Sequence, residues 1–319
     1  MRTVVTGGAG FIGSHLCDAL LDRGDSVVCV DNLSTGRIAN VAHLIDRPGF
    51  TFAEADVTVT IPVSGRVDAV AHLASAASPP EYQRRPLETL AAGSRGTENA
   101  LRIAQESGAR FILASTSEVY GDPSVHPQPE AYWGHVNPIG PRSVYDEAKR
   151  FAEALTAAYQ RAFGLNTGII RIFNTYGPRM SAQDGRVVTN LITQALNGEP
   201  LTVYGDGSQT RSFCYIDDLV RGIVAMIDAG EHGPVNLGNP EEFSVGEFAQ
   251  LVLQITGSGS PVEHRPLPAD DPGRRCPVIT HAQRALGWHP QIPAIEGLAS
   301  TVKWFRSVPD EVRAAAAIR

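Results

Sequence analysis

The 319-residue chain carries 27 Lys and Arg against 34 Asp and Glu, a net charge of −7, with 43% hydrophobic and 19% charged residues. That length has room for about two domains and a cleft between them. The acidic balance argues against a broad nucleic-acid-binding face but leaves room for local basic pockets that hold small anions. With 31 glycines and 22 prolines the chain is neither collagen-like nor low-complexity.

In chain order, apolar and β-branched runs at Thr3–Thr6, Ser26–Val30, Thr51–Ala53, Ala69–Leu73, Phe111–Ala114 and Gly168–Ile172 read as buried strands. Their near-continuous hydrophobicity suits a parallel sheet covered on both faces. The segments Phe11–Arg23, Pro86–Glu106 and Tyr145–Phe163 read as helices. This alternation to about residue 172 predicts a Rossmann-like, doubly wound α/β sheet. Beyond 173, helical stretches at Val187–Asn197, Leu219–Asp228 and Val245–Thr256 alternate with glycine- and proline-rich loops, as in a smaller α/β C-terminal lobe. Pro261–Pro277 reads as a loop, of the kind that often carries function. Cys17, Cys29, Cys214 and Cys276 show no zinc-ligand spacing, so no metal is expected, and they fit buried thiols in a reducing compartment. No run of about 18 apolar residues suggests a membrane span, and no signal-peptide stretch is seen at Met1, so the expected location is the cytoplasm.

Three motifs carry chemistry. Gly7-Gly8-Ala9-Gly10-Phe11-Ile12-Gly13 sits between the first strand and the first helix. Glycines there let the backbone approach a pyrophosphate, which the helix N-terminus then receives. Asp31 ends the second strand, where a carboxylate accepts from both ribose hydroxyls and favours NAD over NADP; Arg37 nearby keeps a phosphate-bearing ribose open. Asp56, after the third strand, is either an adenine contact or a turn residue. Tyr145 and Lys149, four residues apart, share one helix face. An ammonium beside a phenol favours phenolate, so the pair can take a proton from an alcohol. Ser115-Thr116-Ser117-Glu118 follows the fifth strand, at the sheet end where α/β folds hold ligands. Its hydroxyls suit a reacting hydroxyl or carbonyl, and Glu118 is a candidate acid or base, or else a helix-cap carboxylate.

TGGAGFIG, DNLSTG, STSEVYG, YDEAK and RIFNTYGPRM together resemble the extended short-chain dehydrogenase/reductase family. Within it, the passage from about Phe111 to Leu219 resembles the UDP-glucuronate decarboxylases almost continuously, and weaker likeness covers nearly the whole chain. The resemblance implies NAD held by Gly7, Gly10, Phe11, Ile12, Gly13, Asp31, Asn32, Ser34, Thr35, Gly36, Asp56, Val57, Leu73, Ser75, Tyr145, Lys149, Thr175 and Arg186. It implies a UDP-sugar on Glu118, Tyr145, Tyr159, Asn174, Val188, Leu201, Val203, Tyr204, Gln209, Arg211 and Arg275. By their residues alone, Leu201 and Val203 equally fit a plain core, Tyr159 fits helix packing, and Arg211 fits a surface ion pair. The implied reaction oxidises carbon 4 of UDP-glucuronate, releases carbon dioxide from the resulting β-keto acid, and reduces carbon 4 again to give UDP-xylose. In it Tyr145 is the base with Lys149 lowering its pKa, Thr116 or Ser117 orients the 4-hydroxyl, and Glu118 steers the carboxylate or relays a proton. Arg275, with Arg274 as the alternative, holds the carboxylate; an Arg fork matches a carboxylate in two hydrogen bonds.

The expected division is 1–173 with about 208–238 for NAD, and about 174–207 with 239–319 for the nucleotide sugar. The helices at Pro86–Glu106 and Tyr145–Phe163 are expected to form a four-helix homodimer interface. Ser117-Glu118, where 4,6-dehydratases of nucleotide sugars usually carry Asp-Glu, and Arg275 distinguish this reading from a 4-epimerase or a 4,6-dehydratase. A catalytically silent NAD-binding protein is disfavoured because both Tyr145 and Lys149 are present. The chain departs from the subfamily at Ala91-Ala92-Gly93, where Lys-Thr-Asn is usual, at Ala148 for a usual glycine, and at Ala76 for a usual proline. The first departure removes a cationic substrate contact and a cofactor contact, so that early loss of the reduced cofactor would leave UDP-4-keto-xylose.

Overall fold

Alternation along each strand sorts the core into two layers. A computed structural model describes residues 1–266 and 274–307. In it Val5, Ala69, Ala71 and Ile112 pack with Leu16 and Leu20 of the Phe11–Asp22 helix and Ile223 and Met226 of the Ile216–Asp228 helix. Their neighbours Val4, Val70, Phe111 and Leu113 point the other way, onto Leu101 and Ala104 of the Thr97–Ser107 helix and Ala152 of the Ser143–Phe163 helix. Successive side chains of a strand face opposite sides. A strand buried on both faces therefore reads as an unbroken apolar run, which is the pattern in the sequence.

The sheet has seven strands, all parallel. Their spatial order is Val235–Leu237, Thr167–Ile172, Arg110–Thr116, Ala69–His72, Arg2–Thr6, Ser26–Asp31 and Phe50–Glu54. The order reverses between Arg2–Thr6 and Ala69–His72, and ligands of open α/β sheets bind beyond the carboxyl ends at such a switch. The six strands read from sequence lie where expected, each extended by a residue or two or shifted at its end.

The second lobe is built from small pieces. Thr210–Ser212 pairs with Glu242–Ser244 on one side and Arg274–Arg275 on the other. Leu201–Tyr204 pairs with Val262–Arg265, and Thr175–Tyr176 with Cys214–Tyr215. The expectation of a loop over Pro261–Pro277 is thus corrected at both ends, which are strands; residues 267–273 lie outside the described residues. These strands are too short and too charged for an alternating pattern to reveal them. All four cysteines are free and buried. Among the described residues, no helix is long and apolar enough to cross a membrane.

The single helix expected over Pro86–Glu106 is instead Pro86–Ala91, a π-helical turn over Ala92–Gly96, and Thr97–Ser107. Ser94 Oγ donates to Leu90 O at 2.7 Å and Thr97 Oγ1 to Gly93 O at 2.9 Å, so side chains take up carbonyls along the widened turn. Gly93 lies directly against the Ser143–Phe163 helix: a Cβ there would sit 2.6 Å from Ala148 Cβ and 2.9 Å from Ala148 O. The methyl of Ala148 therefore fills space that a side chain at 93 would occupy. Gly93→Asn is expected to destabilise this protein, and Ala148→Gly to relieve part of that loss. A double-mutant cycle by thermal or denaturant unfolding should return a favourable coupling of about 1 kcal/mol; additive effects would show that the two positions are independent.

Candidate active site

The dinucleotide cradle is set by backbone contacts that tolerate no side chain. Gly7 is left-handed at φ +70°, and a Cβ on it would lie 2.8 Å from Ala74 N. A Cβ on Gly13 would lie 2.1 Å from Gly7 O. The first turn of the Phe11–Asp22 helix therefore presses on the loop; Gly10 caps that helix, and Gly10, Phe11, Ile12 and Gly13 line the cleft. Asp31 closes the strand beside it and is nearly buried. Its carboxylate accepts from Ala9 N at 3.0 Å and Leu33 N at 2.8 Å. Burial raises its pKa and these two amides oppose the rise. Gly36 passes so close that a Cβ would meet Asp31 Oδ1 at 2.7 Å. Arg37 points elsewhere, donating to Ser181 Oγ at 3.2 Å and Gln183 Oε1 at 2.9 Å. Asp56 accepts from Thr58 N at 2.8 Å and Asn32 Nδ2 at 3.2 Å. The cradle fits a dinucleotide with an unphosphorylated ribose: close backbone for the pyrophosphate, helix N–H groups for its charge, and a carboxylate for the ribose hydroxyls.

From this cradle one cleft of about 1300 Å3 runs to the second lobe. It is lined by every residue expected at the cofactor, and by Thr116, Ser117, Glu118, Asn174, Val188, Tyr204, Gln209, Arg211 and Arg275 of the reaction and substrate sets. Three expected contacts lie outside it. Tyr159 packs beside the core and against Phe163, with ring centroids 5.2 Å apart. Leu201 and Val203 are fully buried in the core; alternation along their strand brings Thr202 and Tyr204 to the cleft instead.

At the centre of the cleft Tyr145 and Lys149 stand one turn apart on the Ser143–Phe163 helix, each almost fully buried. Lys149 Nζ donates to Ala114 O at 2.8 Å and lies 5.8 Å from the centroid of the Tyr145 ring. Burial pushes the Tyr145 phenol upward, opposed by its hydrogen bond with Thr116. Burial pushes Lys149 down to about 8, with Glu153 working against that fall. The expected lowering of the Tyr145 pKa is therefore not a property of the two side chains alone, because burial dominates and pushes the phenol upward.

Glu118 is held between two guanidiniums, in an ion pair with Arg275 and at 2.7 Å from Arg142 Nη2. Burial alone would raise its carboxyl, but Arg275, Arg142 and Arg211 outweigh it and hold the group below the usual carboxylate range. Arg275 is 3% exposed; it donates to Gly121 O at 2.8 Å and to Ser117 Oγ at 3.4 Å. Arg274, the alternative, is exposed, since neighbours on a strand face opposite ways. Arg186 lines the same cleft, paired with Asp184.

Sequence reasoning missed Arg142 and Tyr82. Arg142 precedes Tyr145 by three residues, so a cation one turn from the phenol was a legible signal. Tyr82 sits on a short helix, Pro79–Arg84, that the pattern did not reveal. Asp146, next to Tyr145, is buried with Oδ1 unpartnered, and burial followed by the charge of Glu118 pushes its carboxyl up to about 7.

Residues 3–246 match the model of the NAD dependent epimerase/dehydratase family. UDP-glucuronic acid decarboxylase 1 of Xenopus tropicalis is 53% identical over 305 residues, covering 96% of this chain and 72% of that protein. Among solved structures, UDP-glucose 4-epimerase of Thermotoga maritima superposes with a TM-score of 0.87 at 31% identity, covering 96% of this chain and 99% of that one. A variant of UDP-glucuronic acid 4-epimerase from Bacillus cereus, in complex with UDP-4-deoxy-4-fluoro-glucuronic acid and NAD, gives a TM-score of 0.86 at 29% identity, covering 96% and 99%.

The Asp146 carboxyl makes stability depend on pH in a defined direction. Between its ordinary value of about 4 and about 7, the folded protein keeps a proton that the unfolded chain has lost, so stability falls as pH rises through that window. Asp146→Asn removes the effect. Its melting temperature should exceed that of the parent by roughly 2 °C or more at pH 8 and show no such gain at pH 4.5. An equal shift at both pH values would mean that Asp146 does not titrate in this way.

Proposed function

This chain belongs to the NAD dependent epimerase/dehydratase family, and on that premise we propose that it decarboxylates UDP-glucuronate by way of a 4-keto sugar, with UDP-xylose as product. The observation that carries the reading is the placement of Arg275, Glu118 and Arg142 beside Tyr145 in one buried cleft. Epimerisation at carbon 4 needs a base and a cofactor; a set of guanidiniums next to that base suits a substrate that also bears a carboxylate. The 53% identity to a UDP-glucuronic acid decarboxylase supports the same substrate.

Tyr145 Oη removes the 4-hydroxyl proton while Thr116 orients that hydroxyl. NAD, held by the glycine cradle, Asp31 and Lys149, would supply the acceptor for the hydride that leaves carbon 4 and its donor in the return step. The sugar is then a β-keto acid, whose carboxylate is lost with the electron pair passing onto the 4-oxygen. Thr116 and Tyr145 stabilise that oxygen by donating to it. Arg275 and Arg142 orient the departing carboxylate, and Glu118 beside them disfavours keeping negative charge there. In this reading the proton for carbon 5 is relayed by way of Glu118, which lines the same cleft.

The second lobe supplies the nucleotide half-site. Arg211, 9% exposed and lining the cleft, suits the diphosphate; Tyr204, Gln209, Asn174 and Val188 suit the nucleoside. The proposed division is a cofactor unit of 1–173 with about 208–238 and a nucleotide-sugar unit of about 174–207 with 239–319. Within the stretch from 208 to 238, Ile216–Asp228 and Val235–Leu237 belong to the seven-stranded layer, while Thr210–Ser212 joins the small sheet. The proposed homodimer pairs the helices of 86–107 and 143–163, and exposed Leu87, Leu90 and Phe151 on them favour burial by a second copy. A cytoplasmic location fits the four free cysteines.

Purified protein incubated with UDP-glucuronate should lose the mass of carbon dioxide from the substrate and form a UDP-pentose, with the UDP-4-keto-pentose fraction reporting early cofactor loss. Unchanged substrate mass would move the assignment to a 4-epimerase, or to a dehydratase of a different sugar nucleotide, since dehydration would itself remove the mass of water. Tyr145→Phe should lower turnover at least about 100-fold while NAD stays bound. Arg275→Ala should abolish carbon dioxide release and spare UDP binding; retained release would remove Arg275 from the reaction.

A further inference from the structure

Arg37 lines the cleft and has no part in the scheme above. Its side chain crosses between two segments that lie far apart in the chain. Arg37 Nη2 donates to Gln183 Oε1 at 2.9 Å and to Ser181 Oγ at 3.2 Å. Ser181 Oγ in turn donates to Gln183 Oε1 at 2.8 Å and accepts from Gln183 N at 3.2 Å, so the two acceptors are locked to each other. Ser181 and Gln183 line the same cleft.

Both ends of this bridge are tied to the glycine cradle. On one side Arg37 N donates to Ala9 O at 3.0 Å, and Asn40 Nδ2 donates to the same carbonyl at 2.9 Å. On the other side the segment that carries Ser181 and Gln183 is fastened to the Phe11–Asp22 helix. His15 Nε2 donates to Pro178 O at 3.0 Å, and Arg179 pairs with Asp18 at 2.6 Å. Arg179 is left-handed at φ +67°. A residue with a Cβ keeps that conformation only where its surroundings fix it. The contacts close a ring that runs from the cradle through Arg37 to Ser181 and Gln183, then through Arg179 and Asp18 back to the cradle helix. The two walls it joins carry expected cofactor residues, Ser34, Thr35 and Gly36 on one and Thr175 and Arg186 on the other, all lining the cleft.

We propose that Arg37 is a positioning residue for the return step: its bridge to Ser181 and Gln183 joins the two walls of the cofactor site and slows the escape of the reduced cofactor until carbon 4 has been reduced again. The proposal rests on the NAD reading of the cradle and, for its effect on product, on the decarboxylase reading. Reduced cofactor that leaves after carbon dioxide takes with it the hydride that carbon 4 needs, and the sugar stays a 4-ketone. Arg37 thereby sets how much UDP-4-keto-pentose accompanies UDP-xylose. Because Arg37 is exposed, the bridge can open and re-form without disturbing the core.

The test is a double-mutant cycle of Arg37→Ala, Gln183→Ala and the pair, read on the release of bound NADH. Each protein is loaded with NADH, desalted, and mixed with a second dehydrogenase and its substrate, which consume only free NADH. Each single variant should release NADH about tenfold faster than the parent. The pair should be no more than about twofold faster than the quicker single variant, because either change opens the same bridge. The UDP-4-keto-pentose fraction formed from UDP-glucuronate should rise in all three. The melting temperature without cofactor should stay within about 2 °C of the parent, since the lost hydrogen bonds are at the surface; a merely structural arginine would lower it and leave the keto fraction unchanged. Unchanged NADH release in Arg37→Ala overturns the proposal, as does faster release with an unchanged keto fraction. So does a pair whose increase is the product of the two single increases, which would place Arg37 on the cofactor itself. Carbon dioxide release is measured in parallel. Faster NADH release in a protein whose parent yields no carbon dioxide from UDP-glucuronate keeps the bridge and loses the decarboxylase reading. Carbon dioxide release with unchanged NADH release does the reverse.

Discussion

The ion pair between Glu118 and Arg275 joins the two halves of the molecule. Glu118 follows the Arg110–Thr116 strand of the seven-stranded sheet, whereas Arg275 comes from a two-residue strand laid down more than 150 positions later. Both groups are largely buried, and removing one partner of such a pair typically costs about 3–5 kcal/mol because the other charge is stranded. Arg142 shares the carboxylate and comes from a third segment, just before the Tyr145 helix. The cleft therefore has its shape only when three distant pieces of chain meet, and the charge balance at that meeting point is what a carboxylate-bearing sugar would encounter.

Around it, burial sets the direction for four titratable groups. Tyr145, Tyr82 and Asp146 are pushed up and Lys149 is pushed down, each first of all by desolvation. Glu118 alone among these escapes, because three guanidiniums outweigh its burial. The site is thus held close to neutral except where arginines sit. The cationic cofactor of the family would change that balance most at Tyr145, the group that has to ionise.

Gly93 and Ala148 are sterically matched across two helices. The bare Cα of Gly93 faces the methyl of Ala148 at the place where the first helix widens into a π turn. Such widened turns often occur at functional sites. This one lies within the first of the segments proposed to meet in a dimer, and its Ala92 and Arg95 line the cleft.

The sequence by itself determined the parallel sheet, the glycine cradle and the Tyr145–Lys149 pair. Each is local: strands buried on both faces are apolar throughout, a glycine is needed where a Cβ would collide, and residues four apart share a helix face. The family likeness reached further, to Arg275 and most of the second lobe. Only the tertiary structure decided the rest. It chose Arg275 over Arg274 and moved Leu201, Val203 and Tyr159 out of the cleft, because which side of a strand or helix is covered depends on what packs there. It broke the Pro86–Glu106 helix where Ala148 presses on Gly93. It also set Tyr82 and Arg142 beside Tyr145, since the distance between residues remote in the chain is fixed by packing and leaves no periodic trace in the sequence.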